Sequence, residues 1–311
     1  MSSKPRRPLL TVGRRLKAAA DGLVGRSFVL MIKLIRRLDR RRMANLTAWV
    51  TRTFGPWLNE HRLGRENLAA AFPEKSAAEI ESILAGVWDN LGRVAAEFAH
   101  LDRLHILDPA RPGPEDIVYD QHSFDVFHRL RLDDKPGLLF TAHLANWELA
   151  AYVAAAYQLP LHILYRRPNI RAVDDAVREA RVNLMGTLVP TGLDAPVRLV
   201  RVLEEGGHVG MLVDQYLVRG VDVTFFGRRC KANPLIAQLA RLIECPIHGA
   251  RMVRLPGRDR FRIDVTEEIA PARDADGKVD IEGTMQVITS VVEGWVREYP
   301  EQWLWVHRRW R

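Results

Sequence analysis

The segment His143-Leu144-Ala145-Asn146-Trp147-Glu148 sets an imidazole and a carboxylate five residues apart. A neutral imidazole can take up a proton near neutral pH. A carboxylate bonded to it fixes the ring tautomer and stabilises the imidazolium as it forms. The chemistry open to such a pair is general-base catalysis, in which a hydroxyl loses its proton while attacking a thioester and no covalent enzyme intermediate is needed. On spacing alone, a structural histidine beside a helix-capping glutamate remains an open alternative.

For the two side chains to meet, the chain must turn sharply between them. Gly137–Ala142 (GLLFTA) is a short, continuously apolar run of the buried-strand type. A helix is expected from Trp147 to Tyr157, with Asn146 as its cap. His143 then follows a buried strand and Glu148 opens the next helix, and open α/β sheets gather their ligands in that kind of crevice. Further strands are expected at Pro160–Tyr165, Val209–Val213, Val223–Phe226, Ile247–Val253 and Arg260–Val265. Helices are expected along Val173, Ala176, Val177, Ala180 and Leu184, from Asn233-Pro234 through Ile243, and over Thr284–Glu298. Upstream, Ser76-Ala77-Ala78-Glu79 is a capping box, and Ile80, Ile83, Leu84, Val87, Trp88, Leu91, Val94 and Phe98 continue it at helical spacing. Residues 107–115 break the pattern with Pro and Gly. This alternation predicts an α/β fold, a mixed central sheet flanked by helices, preceded by an N-terminal helical membrane-associating segment.

Charge divides the chain further. Residues 1–42 hold thirteen Lys and Arg against Asp21 and Asp39, a local net of +11, which leaves −3 for residues 43–311 of a chain carrying +8. Such an arm suits a polyanionic surface, either nucleic acid or an anionic leaflet. The apolar run Ser27–Ile35 (SFVLMIKLI) favours the leaflet, although it is far short of the ~20 residues that span a bilayer, and an ordinary basic helix packed on the domain is the alternative. Leu46–Leu58, with Trp49, Phe54 and Trp57, is a second amphipathic stretch. Three regions are therefore expected: a basic amphipathic membrane-associating arm over 1–42, a helical segment packed on the core over 43–106, and an α/β domain over 107–311. Base-stacking aromatics are not interleaved with the arm's cations, so no nucleic-acid partner is expected.

Other chemistries lack their motifs. There is no Gly-x-Ser-x-Gly elbow, no Walker A sequence and no dinucleotide fingerprint after a strand. Cys230 and Cys245 are too few for a disulfide framework and lack His or Cys neighbours, and the remaining histidines show no ligand spacing. Neither a metal nor a cofactor is expected.

The segment LLFTAHLANWELAA resembles the His-(four residues)-acid motif of the glycerolipid acyltransferase superfamily. Its Glu148 and Trp147 are similar to those of the lipid A biosynthesis acyltransferases, the lauroyl/myristoyl transferase family, whereas glycerophosphate branches typically carry Asp. Asn67–Pro73 with Trp88–Gly92, Tyr165-Arg166-Arg167-Pro168, Arg181 ahead of Gly186, Asp214-Gln215, Phe225-Phe226-Gly227 and Pro300–Trp310 resemble further blocks of that family. Tyr216 stands where the family usually has Asp, and Asn233 where Thr is common.

The resemblance implies a glycerolipid-acyltransferase-like fold and a specific reaction. A fatty acyl chain would pass from an acyl carrier protein to a hydroxyl of a Kdo-containing lipid A precursor, at the cytoplasmic face of the inner membrane. In that reading His143 is the base and Glu148 its orienting partner. Arg166, Arg167, Arg181, Arg308 and Arg309 are candidates for binding acceptor phosphates, or in the case of Arg181 for stabilising the oxyanion. Asp214 closes a strand and is read as orienting a cation or hydroxyl, with a turn or cap role as the alternative. Transfer to another lipid, such as a lysophospholipid or glycolipid, is the competing activity. A membrane- or nucleic-acid-binding module built on the basic arm is the non-enzymatic one.

Overall fold

The computed structural model of the chain describes residues 8–107, 115–182 and 184–310. The expected break at residues 107–115 falls almost wholly outside them. Four helices come first: α1 (Pro8–Arg37), α2 (Arg40–Phe54), α3 (Asn59–Ala71) and α4 (Ala77–Phe98). Asp39 starts α2 by accepting from the Arg42 amide at 2.9 Å. The expected division between residues 42 and 43 therefore falls inside one helix. At Ser76 both halves of the capping box form, and of the expected stripe α4 buries Ile80, Leu84, Val87, Trp88 and Val94, while Ile83, Leu91 and Phe98 are partly buried. None of the described helices is long and apolar enough to cross a membrane. The apolar run of α1 instead lies largely open. Leu30, Met31 and Leu34 are exposed, while Ile35 is buried against Ala44, Ala96 and Ala99. Leu46, Trp49 and Phe54 of α2, and Trp57 just beyond it, also face outward.

The remaining elements alternate as strand and helix. They run β1 (Ile117–Tyr119), α5 (Gln121–Leu132), β2 (Gly137–Thr141), α6 (Glu148–Ala156), β3 (Leu161–Tyr165) and α7 (Arg171–Val182). Then come β4 (Thr187–Pro190), α8 (Ala195–Glu204), β5 (His208–Leu212), β6 (Tyr216–Phe225) and β7 (Arg228–Ala232). The chain closes through α9 (Leu235–Ile243), β8 (Ile247–Arg254), β9 (Phe261–Val265) and α10 (Ile281–Glu298). Seven strands make one sheet in the order β1-β9-β8-β2-β5-β3-β4, parallel throughout except for the β8–β9 pair. The fold is thus α/β, with a mixed central sheet between helices. The expected strand Val223–Phe226 belongs elsewhere: it is the end of β6, which pairs with β7 in a separate antiparallel hairpin. Helix α9 opens one residue later than expected, with Pro234 at its N-cap position, and Asn233 just ahead accepts from the Leu235 amide at 3.1 Å.

This topology positions the site. Parallel pairing of β2, β5, β3 and β4 brings their carboxyl ends to one edge of the sheet. The residues that follow them, His143, Asp214, Arg166 and Thr191, therefore leave the sheet on the same side.

Candidate active site

Between β2 and α6 the chain turns within a few residues, and a turn this tight must find most of its hydrogen-bond partners elsewhere. The Leu304 amide donates to the His143 carbonyl at 3.2 Å, and the Ala145 amide to the Gln302 carbonyl at 2.9 Å. The C-terminal segment thus runs antiparallel beside the loop, bridging Leu144 to Trp303. Ala145 is held at φ +48°, an unfavourable conformation for a residue with a Cβ. Its carbonyl accepts from Asn90 of α4 at 3.0 Å. Asn146, expected to cap α6, is instead fully buried and donates at 3.0 Å to Glu97. Glu97 forms a two-pronged buried ion pair with Arg254 of β8, and Arg254 Nε donates to Asn90 at 2.9 Å. The Gln302 side chain completes the network with bonds of 2.8 and 3.0 Å to the Arg254 backbone.

The carboxylate that meets the imidazole is Asp214. His143 Nδ1 lies 2.8 Å from Asp214 Oδ1. The second oxygen accepts from the His143 amide and from the Trp303 indole, each at 2.8 Å. Asp214 is buried. Burial works to raise its carboxyl, but the His143 charge and hydrogen bonds outweigh burial and hold Asp214 well below the usual carboxylate range. An ionised carboxylate only accepts, so Nδ1 carries a proton; when the ring is neutral, Nε2 is then its acceptor, and it lies 3.3 Å from the Gln215 carboxamide. Trp147 packs beside the ring with 4.9 Å between centroids.

The expected contact between Glu148 and His143 is corrected accordingly. Asp214 leaves the strand paired directly with β2, whereas Glu148 opens α6 and turns toward α7. There it receives Arg181 through Nε, at 2.9 Å, and Nη2 in a planar fork. Arg181 was expected to bind phosphate or an oxyanion, but those two donors are committed to Glu148. Its guanidinium also lies over Phe98 at 5.8 Å.

The other arginines separate. Arg166 is exposed and lines the cavity beside the site, whereas Arg167 and Arg308 are exposed and do not line it. Arg309 is corrected to a structural role. It is buried, donates to the Lys231 carbonyl at 2.7 Å and lies 5.2 Å over Phe225, within the aromatic cluster of Trp303, Trp305 and Trp310. Burial closes off thiol chemistry, pushing the Cys245 thiol up to about 11 and raising that of Cys230 as well. Among the described residues no group of three or more His, Cys, Asp or Glu is placed to hold a metal ion.

A cavity of about 680 Å³ opens beside His143, within the range of small-molecule sites. Its depth is apolar, formed by Leu139 of β2, Leu161 and Ile163 of β3, Gly210 of β5, Ala151 of α6 and Met185. Its polar lining includes His143, Glu148, Arg166, Arg181 and Gln215. Tyr216 and Asn233, the two departures from the resembled pattern, line it as well. The arrangement can seat a long apolar group with its reactive end at an imidazole oriented by Asp214. Reading the sequence missed Asn90, Glu97, Arg254, Gln302 and Trp303 as parts of this site. The blocks Trp88–Gly92 and Pro300–Trp310 stood out by resemblance, but no spacing signals that both converge on residues 143–146.

Comparison with known proteins places the chain among bacterial acyltransferases. Two curated relatives are similar to the chain: the lipid A biosynthesis palmitoleoyltransferase of Escherichia coli (strain K12) and a lipid A biosynthesis acyltransferase of Shigella flexneri. Each is 24% identical over 255 residues, spanning 80% of this chain and 78% of the relative. The family described as bacterial lipid A biosynthesis acyltransferase matches residues 23–311. Matched across nearly its whole length, the chain belongs to that acyltransferase family.

Proposed function

We propose that this protein transfers a fatty acyl chain from an acyl carrier protein thioester to a hydroxyl of a Kdo-containing lipid A precursor. The observation that carries the reading is the His143–Asp214 pair, with Nε2 of the ring turned to a cavity whose depth is apolar. His143 Nε2 takes the acceptor's hydroxyl proton as that oxygen bonds to the thioester carbonyl carbon. The tetrahedral intermediate then expels the carrier thiolate, which receives the proton from the imidazolium. Asp214 holds the ring in the productive tautomer and stabilises its charge. Glu148 anchors Arg181, and Arg166 is the cation best placed for an acceptor phosphate. The family relationship weighs against a purely binding module.

The site would work at a membrane surface. Leu30, Met31, Leu34, Trp49 and Phe54 face outward among the exposed cations Arg26, Lys33, Arg37 and Arg42. Apolar residues interleaved with cations suit helices lying in an anionic leaflet, here the cytoplasmic face of the inner membrane.

The test is an assay of purified protein with a panel of acyl carrier protein thioesters and a tetra-acylated lipid A precursor. Transfer to that precursor is expected. Transfer confined to a lysophospholipid or another glycolipid would replace the acceptor. Tyr216 and Asn233 in the cavity lining are the residues that favour this second reading.

A further inference from the structure

The Gln215 carboxamide plays no part in the steps above, yet it lies 3.3 Å from His143 Nε2. The carboxamide nitrogen is the end that faces Nε2, and with the Nδ1 proton directed at Asp214, Nε2 of the neutral ring is its acceptor. Gln215 directly follows Asp214, whose buried carboxylate is bonded to a ring, an amide and an indole, so the backbone that carries Gln215 is fixed. Several neighbouring donors are committed elsewhere: the His143 amide and Trp303 indole to Asp214, and Arg181 Nε and Nη2 to Glu148. Gln215 shares the cavity lining with His143 and Trp147.

We propose that Gln215 is a catalytic residue that donates a hydrogen bond to the thioester oxygen as negative charge develops there. The inference rests on the acyl-transfer reading. In the free protein the Gln215 N–H covers the Nε2 lone pair. An acceptor hydroxyl displaces it, and the hydroxyl proton passes to Nε2 while the oxygen–carbon bond forms. The carbonyl π pair moves onto its oxygen, which now lies beside the displaced N–H. Gln215 donates to this oxyanion and keeps its own proton. On collapse the carbonyl re-forms, the carbon–sulfur bond breaks, and the sulfur takes the proton from the imidazolium. A donor that meets charge only as it develops acts in the transition state and not in the ground state.

Gln215→Glu preserves the shape and removes the donor, and Gln215→Ala removes the group. Both are expected to lower kcat on the order of 10²–10³-fold with KM unchanged for donor and acceptor. In the free proteins, ¹⁵N spectra of the His143 ring should show the Nε2 signal moved in both variants and the Nδ1 signal, bonded to Asp214, in place. The spectrum needs no substrate. A wild-type protein inactive with every thioester but showing the Nε2 displacement would sink the acyl-transfer reading and, with it, the oxyanion role, leaving the contact itself established. With an active wild type, unchanged kcat in both variants overturns the inference, and so does a ring spectrum identical to wild type.

Discussion

Two walls of one cavity are built in opposite ways. On the β2 side, residues 143–146 hang from Asn90, Glu97, Arg254 and Gln302, all buried, and the imidazole is bonded to a carboxylate that also holds Trp303. On the other side, none of the described side chains of α7 is buried. Helix α7 packs against α1, where Gly25 approaches so closely that a Cβ there would fall 2.5 Å from the Ala172 methyl carbon. Its polar link to the catalytic side is the Arg181–Glu148 pair. A satisfied buried network rigidifies, whereas a helix with few buried apolar contacts opens at low free energy. The contrast teaches where geometry matters: proton transfer tolerates little displacement, while a wall that admits lipid can yield.

The largest effects should come from the stiff wall. In the proposed mechanism, His143→Ala removes the base, and Asp214→Asn leaves the base without its tautomer lock. A loss on the order of 10⁴-fold in kcat is expected for the latter, as in other systems where an orienting carboxylate becomes an amide. Steady-state acyl transfer measures it, and near-wild-type turnover in Asp214→Asn would remove Asp214 from the mechanism. Stability adds a second readout. The Asp214 carboxyl is lowered in the folded protein. Its stabilisation is therefore complete above the unfolded value of about 3.9 and is lost as pH falls toward the folded one. Denaturant titrations should show wild type more stable than Asp214→Asn at neutral pH, with the gap narrowing below about pH 4. A gap independent of pH would mean that the carboxylate charge contributes nothing.

Behind the loop, Glu97→Ala would strand Arg254 as a buried, unpaired cation. Breaking such a pair typically costs about 3–5 kcal/mol. A comparable fall in unfolding free energy is expected, and activity should fall with it because Asn146 also loses its partner. Unchanged stability would show that the loop does not depend on the network.

The two walls were also unequally legible in the sequence. The strand Gly137–Ala142, the stripe of α4 and the capping box at Ser76 are short-range patterns, and each appears as expected because local periodicity decides which face is buried. His143 was legible for the same reason, as a polar residue ending an apolar run. Its partner was not. Asp214 lies 71 residues away, and only the adjacency of β2 and β5 brings it to the ring. Glu148, five residues from His143, looked like the partner because sequence shows separation along the chain and not the direction of a side chain. Arg309 shows the same limit: an arginine in a basic run reads as surface until Phe225 and the Lys231 carbonyl enclose it.

The compliant wall gives the smallest effect and the sharpest discrimination. Glu148→Gln keeps one acceptor for Arg181 but removes the charge from a pair whose side chains retain 10% and 19% of their exposure. A charge-assisted hydrogen bond contributes about 1.5–3 kcal/mol, and glutamine recovers part of it. About a tenfold fall in kcat/KM is expected. If Glu148 secures the wall through Arg181, that loss should appear as a raised KM, because looser placement of α7 weakens ground state and transition state alike. If Glu148 instead acts on His143, kcat should fall as steeply as in Asp214→Asn. Measuring kcat and KM separately for the two variants therefore decides which carboxylate belongs to the base. Comparable kcat losses would return Glu148 to proton transfer, while a KM effect alone leaves Asp214 as its partner and Glu148 as the tie between the two walls.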